Sequence, residues 1–258
     1  MVLLAAALFG VFAFVTAFVC TGSDAVLVDR PVVDWVLGAR GESVTDVAIA
    51  ITHSGGSAAM WLVGLLTCGV LLWRAAWADC VLVAGVGVAA AVLSPVLKHL
   101  IGRPRPPVDD RLLEVTSPAF PSGHSLGASA LIGIVAVVVC GRMVQRWAIR
   151  LTALLAAAFV LVVGLSRVYL GVHWPTDVLA GWALGALLVV GGTLIRSRFG
   201  PGTSGDGRAI GDSPTQGTEV AISAGRGSAE ALEHRRPCSR RVPVAAPPHA
   251  SRRSRRPN

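Results

Sequence analysis

The sequence predicts an all-α fold, a polytopic membrane bundle of six transmembrane helices followed by a basic tail, and three observations carry that reading. Hydrophobic residues make up 53% of the 258 residues and charged residues only 15%, with a mean hydropathy of +0.64, too apolar for an ordinary water-soluble domain. Asp, Glu, Lys and Arg are absent from six separate runs, residues 1–23, 47–73, 80–97, 115–141, 151–166 and 178–195, and a spanning helix needs roughly 20 predominantly apolar residues. Beyond residue 195 the apolar periodicity stops and arginine takes over.

Each run is justified in turn by what flanks it. The first has no Lys or Arg ahead of its apolar stretch and is as long as a spanning helix, so it reads as an uncleaved first span rather than a secretory signal. Lipid attachment at Cys20 is disfavoured because Val19, not a small residue, precedes it. The second, third and fourth runs are long enough without help. The fifth is the shortest; Trp147 and Ile149 extend it while Arg146 and Arg150 snorkel to the interface. The sixth opens after Asp177 and ends at Arg196. Residues 1–195 thus form a six-span domain, in which Lys98 and ten Arg face ten acids, a balance of one. Residues 196–258 carry twelve Arg against five acids, so nearly all of the net charge of +8 belongs to this Gly-, Ser-, Pro- and Arg-rich tail. Such a composition cannot bury a core and reads as disordered, a solvated segment that helps set topology, with no nucleic-acid partner expected. Of the five cysteines, Cys20, Cys68, Cys80 and Cys140 lie in or beside spans as small hydrophobes and Cys238 is alone in the tail. They form no disulfide pattern and no metal-ligand spacing.

With six spans both termini share a side, which also collects Arg142, Arg146, Arg150 and the tail, so the positive-inside rule makes it cytoplasmic. Residues 21–46, 98–114 and 166–177 then fall on the exterior. That face receives the chain's only lysine, Lys98, in Lys98-His99-Leu100-Ile101-Gly102-Arg103-Pro104-Arg105-Pro106. It also receives Pro121-Ser122-Gly123-His124 and the segment from Ser166-Arg167 to His173-Trp174-Pro175-Thr176-Asp177. Cations beside an apolar core are costly unless paired or hydrated, and here they make sense as ligands for an anion.

The local chemistry supports a phosphate site. Pro104 and Pro106 stop a helix from running through Arg105, so Lys98 closes span three while Arg103 and Arg105 sit on a stiff turn. Ser122 takes an N-cap position and Gly123 lets backbone approach a ligand, with the N–H groups and dipole of the next helix favouring an anion. Pro175 suits the first position of span six, and Asp177, four residues after His173, can accept from one imidazole nitrogen and leave the other with its lone pair. One histidine so oriented can attack phosphorus and the other, His124, can protonate the departing oxygen. Lys98, Arg105 and Arg167, with Ser122 and the Gly123 N–H, can neutralise the phosphoryl oxygens, and no divalent cation is required.

These three segments resemble the signature motifs of the type 2 phosphatidic acid phosphatase and vanadium haloperoxidase superfamily: Lys, six residues, Arg-Pro; Pro-Ser-Gly-His; and Ser-Arg, five residues, His, three residues, Asp. The sequence matches at Lys98 with Arg105-Pro106, at Pro121 through His124, and at Ser166-Arg167 with His173 and Asp177, with no departure in a signature position. The resemblance runs from about the second span through the sixth and leaves out the tail. It implies an all-helical six-span core and a phosphohistidine formed on His173, oriented by Asp177. It further implies His124 as general acid, phosphate binding by Lys98, Arg105, Ser122, Gly123 and Arg167, and no cofactor.

The function so implied is an integral membrane lipid phosphatase, removing a terminal phosphate on the outer face of the cytoplasmic membrane from a prenyl diphosphate such as undecaprenyl diphosphate, from phosphatidic acid or from phosphatidylglycerol phosphate. A phosphotransferase passing the phosphoryl group to a lipid or sugar hydroxyl, and a non-catalytic phospholipid-binding or transport protein, are the alternatives. A haloperoxidase is disfavoured because known members of that kind are soluble. Among the remaining polar residues, His53 reads as a loop histidine and His99 as facing away from the site. Arg103 is expected to join the phosphate rim or be solvated. Asp109, Asp110 and Glu114 balance local arginines, and Tyr169 and Trp174 suit the interfacial aromatic belt.

Overall fold

The computed structural model describes residues 1–199; the tail expected from 196 onward lies almost wholly outside the described residues. Eight helices occur among them: α1 (Val2–Cys20), α2 (Ser23–Gly38), α3 (Glu42–Ser54), α4 (Ser57–Trp73), α5 (Trp77–Ile101), α6 (Gly123–Cys140), α7 (Arg146–Tyr169) and α8 (Pro175–Phe199). By length and composition α1, α5, α6, α7 and α8 can each cross a membrane, and α3 with α4, bent by 45° at their break, can together make a sixth span. The chain is a multi-pass, all-helical membrane protein. Residues such as Leu3, Phe14, Leu65, Trp73, Val81 and Leu154 are exposed on the outside of the bundle, where hydrocarbon replaces water.

One expectation needs correction. The second span is not one straight helix, because Gly55 and Gly56, poor helix formers flanked by serines, interrupt it. The fourth helix begins at Gly123 with Ser122 at its N-cap position, as expected; ahead of it, residues 115–122 form an irregular segment in which Pro118 and Pro121 remove backbone donors, and Phe120 is fully buried. The stretch after α1 is itself largely helical, since α2 occupies most of it.

The centre of the bundle is α6 against α8. Gly181 and Gly185, one turn apart, meet α6 so closely that an added Cβ would sit 2.8 Å from the Ser122 carbonyl and 2.6 Å from Ser129 Cβ, respectively. Small residues at this spacing let helix backbones pack where lipid offers no hydrophobic drive. Around this pair, α5 contributes Leu82, Val83 and Val86, and α7 contributes Val163. On the other flank, Val15 and Val19 of α1 pack with Phe120 and Ala180. The last turn of α5, the start of α6, the end of α7 and the start of α8 meet at one end, where the polar segments gather. At the opposite end Asp79 of α5 pairs with Arg142, just beyond α6, and Arg196 of α8.

Candidate active site

Lys98, Arg105, Gly123, His124, Arg167 and His173 line the polar end of one cavity of about 440 Å³. The rest of its wall is mostly apolar and runs between α4, α5 and α6, past Ser94, Gly87, Gly64 and Leu131 to Cys68. From Lys98 to Val83 along α5 is about 22 Å at 1.5 Å per residue. Trp61, Leu65 and Val88 border the cavity while staying 50%, 66% and 49% exposed, so it opens towards the lipid-facing surface between α4 and α5.

Each polar side chain is held by a traceable local cause. Gly102, at a left-handed φ of 64°, ends α5 and turns the chain back over the site. Lys98 Nζ donates to the Pro118 carbonyl at 2.5 Å. Arg105 fans across the irregular segments: Nε donates to the Ser117 carbonyl at 2.6 Å, Nη1 to the Val172 carbonyl, and Nη1 also lies 3.2 Å from His173 Nε2. Arg167, 4% exposed on the last turn of α7, donates Nη1 to Thr52 Oγ1 at 2.6 Å, while its buried Nε has no partner among the described residues. His124, in the first turn of α6, lies beside the break in the second span: a Cβ added at Gly56 would meet its Nε2 at 3.7 Å, ordinary contact.

His173 and Asp177 bracket the entry to α8. His173 Nδ1 is 3.4 Å from Asp177 Oδ2, which also accepts the Trp174 N–H at 2.9 Å, and Asp177 Oδ1 accepts Arg103 Nη1 at 2.5 Å. With the Nδ1 proton turned to the carboxylate, the Nε2 lone pair faces the cavity and the Arg105 guanidinium. Burial, then Arg105, Lys98 and Arg167, hold the His173 imidazole well below the ordinary histidine range. Burial brings Arg105 down to about 10, which leaves it cationic at neutral pH. A neutral imidazole among fixed cations can act on an anionic phosphoryl group.

Two of the expected site residues, Asp177 as the partner that orients His173 and Ser122 as a phosphate ligand, stand apart from the cavity wall. Asp177 is fully buried behind His173, and Ser122, also fully buried, donates its N–H to the Asp177 carbonyl at 3.0 Å and accepts from Ser125 Oγ at 3.1 Å. Ser122 is the N-cap of α6 by position but makes no side-chain cap bond.

Arg103 departs from expectation: it is 6% exposed, neither at the rim nor solvated, and pairs with Asp29 and Asp177 because two buried carboxylates await it there. Trp174 is likewise 4% exposed rather than interfacial, its indole N–H donating to the Pro104 carbonyl at 2.9 Å. Tyr169, half-buried, accepts the Gly41 N–H at 3.1 Å and lies 3.1 Å from Thr45 Oγ1. Asp29 and Thr52 were missed outright. Neither belongs to a motif, and their partners are 74 and 115 positions away.

Comparison with known proteins points in one direction. The model of the PAP2 superfamily matches residues 79–200. Phosphatidylglycerophosphatase B of Bacillus subtilis is 34% identical over 148 residues, 56% of this chain and 71% of that one. Decaprenylphosphoryl-5-phosphoribose phosphatase of Mycolicibacterium smegmatis is 33% identical over 163 residues, 62% of this chain and 81% of that one. The crystal structure of a transmembrane PAP2 type phosphatidylglycerolphosphate phosphatase from Bacillus subtilis superposes with a TM-score of 0.69 at 30% identity, covering 76% of this chain and 96% of that one.

Proposed function

The chain belongs to the PAP2 superfamily and is a membrane phosphatase acting on lipid phosphates, and we propose that it does so by a metal-independent double displacement on His173 at the exterior face. One observation carries the proposal: a single cavity has two imidazoles and three cations at its polar end and an apolar wall along α4, α5 and α6. A lipid can leave its chains in that groove while its terminal phosphate meets Lys98, Arg105, Arg167 and the Gly123 N–H.

His173 Nε2 attacks phosphorus in line with the lipid oxygen; the P–N bond forms as the P–O bond breaks, and His124 gives its proton to the departing oxygen. Water then attacks the phosphohistidine, His124 takes back a proton, and inorganic phosphate leaves. Asp177 keeps the proton on Nδ1 and offsets the positive charge that His173 acquires. Ser122 supports the start of α6 from behind. The three cations act most strongly where the phosphoryl oxygens spread their charge, in a site shielded from bulk water. The exterior assignment rests on Arg142, Arg146 and Arg150 at the opposite end, with both termini cytoplasmic.

Substrates in reach are phosphatidylglycerol phosphate, phosphatidic acid and undecaprenyl diphosphate. Phosphate release from all three by detergent-purified protein, with excess chelator and with His173→Ala as control, tests the proposal. Release by wild type alone is expected. A strict need for added divalent cation, or undiminished release by His173→Ala, would contradict it.

A further inference from the structure

A buried cluster behind the active site has no place in the double displacement. Asp29, 1% exposed on α2, accepts Arg103 Nη2 at 2.7 Å and Thr176 Oγ1 at 2.6 Å on one oxygen, and the Thr176 N–H at 3.0 Å on the other. Arg103 Nη1 donates to Thr176 Oγ1 at 2.8 Å and to Asp177 Oδ1 at 2.5 Å. The Arg103 guanidinium also lies 5.7 Å from the centre of the Trp174 ring. Both hydrogen-bonding edges of this side chain are spoken for, and none of its cluster partners Asp29, Thr176 and Asp177 lines the substrate cavity.

We infer that Asp29, acting through Arg103 and Thr176, is a positioning residue for the reaction: it fixes the Asp177 carboxylate and keeps its charge available to His173. This rests on the reading of His173 as nucleophile. The argument has a geometric and an electrostatic half. Geometrically, Asp177 Oδ2 is held by the Trp174 N–H and Oδ1 by Arg103, so the carboxylate cannot turn away from the imidazole while Arg103 stays in place; Arg103 is in turn fixed by Asp29 on its other edge. Electrostatically, Arg103 with Asp177 alone would be a neutral pair, and His173 would gain positive charge with little to oppose it. A second carboxylate sharing the guanidinium leaves one net negative charge in the cluster.

Stability alone is a weak reason to bury such a set, since a buried ion pair is often no better than apolar packing of similar volume. Other α2-side cations serve the same end of the bundle: Arg30 pairs with Asp110 at 2.8 Å, and Arg40 donates to the Tyr169 and Asp110 carbonyls at 2.7 and 2.8 Å. They fasten the loop after α5 to the turn before His173.

The groups facing His173 are Lys98 of α5, Arg105 of the loop, His124 of α6, Arg167 of α7 and Asp177 of α8; Asp29 and Arg103 act behind them. Removing one member therefore has a signed effect. Asp29→Asn leaves Arg103 and Asp177 as a neutral pair and so disfavours the imidazolium, moving the acid limb of kcat/KM to lower pH. Arg103→Gln does the reverse. A role confined to folding moves neither limb.

The test measures phosphate release from phosphatidylglycerol phosphate, phosphatidic acid and undecaprenyl diphosphate by wild type, His173→Ala, Asp29→Asn, Arg103→Gln and the double variant, each shown to be monodisperse. We expect each single variant to lose about 10- to 100-fold in kcat, the scale for partners that orient a reacting group, with KM changed by less than about threefold because the cavity wall is intact. The limbs should move in opposite directions, and the double variant should return the limb towards wild type and lose less than the product of the single losses. Wild-type kcat in Asp29→Asn, or single losses that multiply with unmoved limbs, would overturn the inference. If the charge variants do not fold, Thr176→Val and Thr176→Ser decide: a kcat lowered several-fold in the first and restored in the second supports it, and equal rates in both overturn it. No release by wild type from any of the three lipids would instead defeat the proposed function itself.

Discussion

Replacing Asp177 by Asn keeps the shape of the side chain and removes the arrangement on which the proposed nucleophilic role of His173 depends. Both edges of the carboxylate face donors: Arg103 Nη1 on Oδ1, and the Trp174 N–H with His173 Nδ1 on Oδ2. An amide has only one acceptor edge. If its NH₂ turns to Arg103, a charge-assisted hydrogen bond worth about 1.5–3 kcal/mol is lost and two donors meet in a buried space. If the NH₂ turns to His173, the Trp174 N–H is orphaned and Nδ1 must accept, which moves the ring proton to Nε2 and removes the lone pair from the cavity. Loss of the orienting carboxylate in a histidine-dependent site costs on the order of 10⁴ in kcat, about 5 kcal/mol at 1.36 kcal/mol per tenfold. Asp177→Asn should therefore fall by about 10³- to 10⁴-fold in kcat, with KM nearly unchanged because Asp177 does not line the cavity. The assay is steady-state phosphate release from phosphatidylglycerol phosphate, with thermal unfolding and size-exclusion profiles matched to wild type. Turnover within tenfold of wild type in folded protein would refute the reasoning.

Thr52→Val removes the hydroxyl that accepts from Arg167 at 2.6 Å; we expect KM to rise by about 10- to 100-fold, the scale of one hydrogen bond to a charged group, with Thr52→Ser near wild type. In the proposed mechanism the reactive form of His173 is neutral, and its burial among cations favours that form, so kcat/KM should be fully developed above the lowered value and lost only as pH falls through it, well below 6.5. On the alkaline side the rate should decline as Arg105 titrates near 10; an acid midpoint at or above 6.5 would contradict the first assignment, and an alkaline limb that stays flat through pH 10 the second. Gly64 and Gly87 face Leu131 across the cavity, where an added Cβ would stand 3.7 and 3.6 Å from Leu131 methyls. A Gly64→Leu, Gly87→Leu double variant should lose at least about tenfold in kcat/KM on long-chain lipid phosphates, as lost apolar burial of a few CH₂ groups implies. A water-soluble phosphate ester should be hydrolysed at close to the wild-type rate. Equal losses on both substrates would show that the groove does not hold the chain.

The spans and the three polar segments were legible because each depends on local signals: charge-free length, a Pro after Arg105, a Gly before His124, a Pro before Thr176. What escaped depended on distant parts of the chain. Arg103 and Arg105 are each followed by a proline, and only Asp29 on α2, unseen as a helix, turns one into the wall behind Asp177 while the other faces the cavity. Apolar composition also cannot separate a membrane helix from an irregular segment buried within protein. Residues 115–122 belong to the fourth charge-free run but form an irregular segment ahead of Gly123, where Pro118 and Pro121 remove backbone donors, and Phe120 is buried against Val15 and Val19 of α1. Trp174 has the sequence context of an interfacial residue; its burial follows from the Pro104 carbonyl and the guanidinium beside it. The break at Gly55-Gly56 was visible as two adjacent glycines, but its use was not: a Cβ at Gly55 would stand 2.3 Å from a Val163 methyl, so the glycine lets α3 approach α7 closely, where Thr52 meets Arg167.

The most direct test of the central claim is to trap the phosphoenzyme. Wild-type protein mixed with lipid substrate labelled in its terminal phosphate, and quenched in alkaline detergent within one turnover, should carry acid-labile, alkali-stable label on the peptide containing His173. His173→Ala should carry none. Label on another residue, or turnover at the full rate with no labelled protein at any time, would contradict the account.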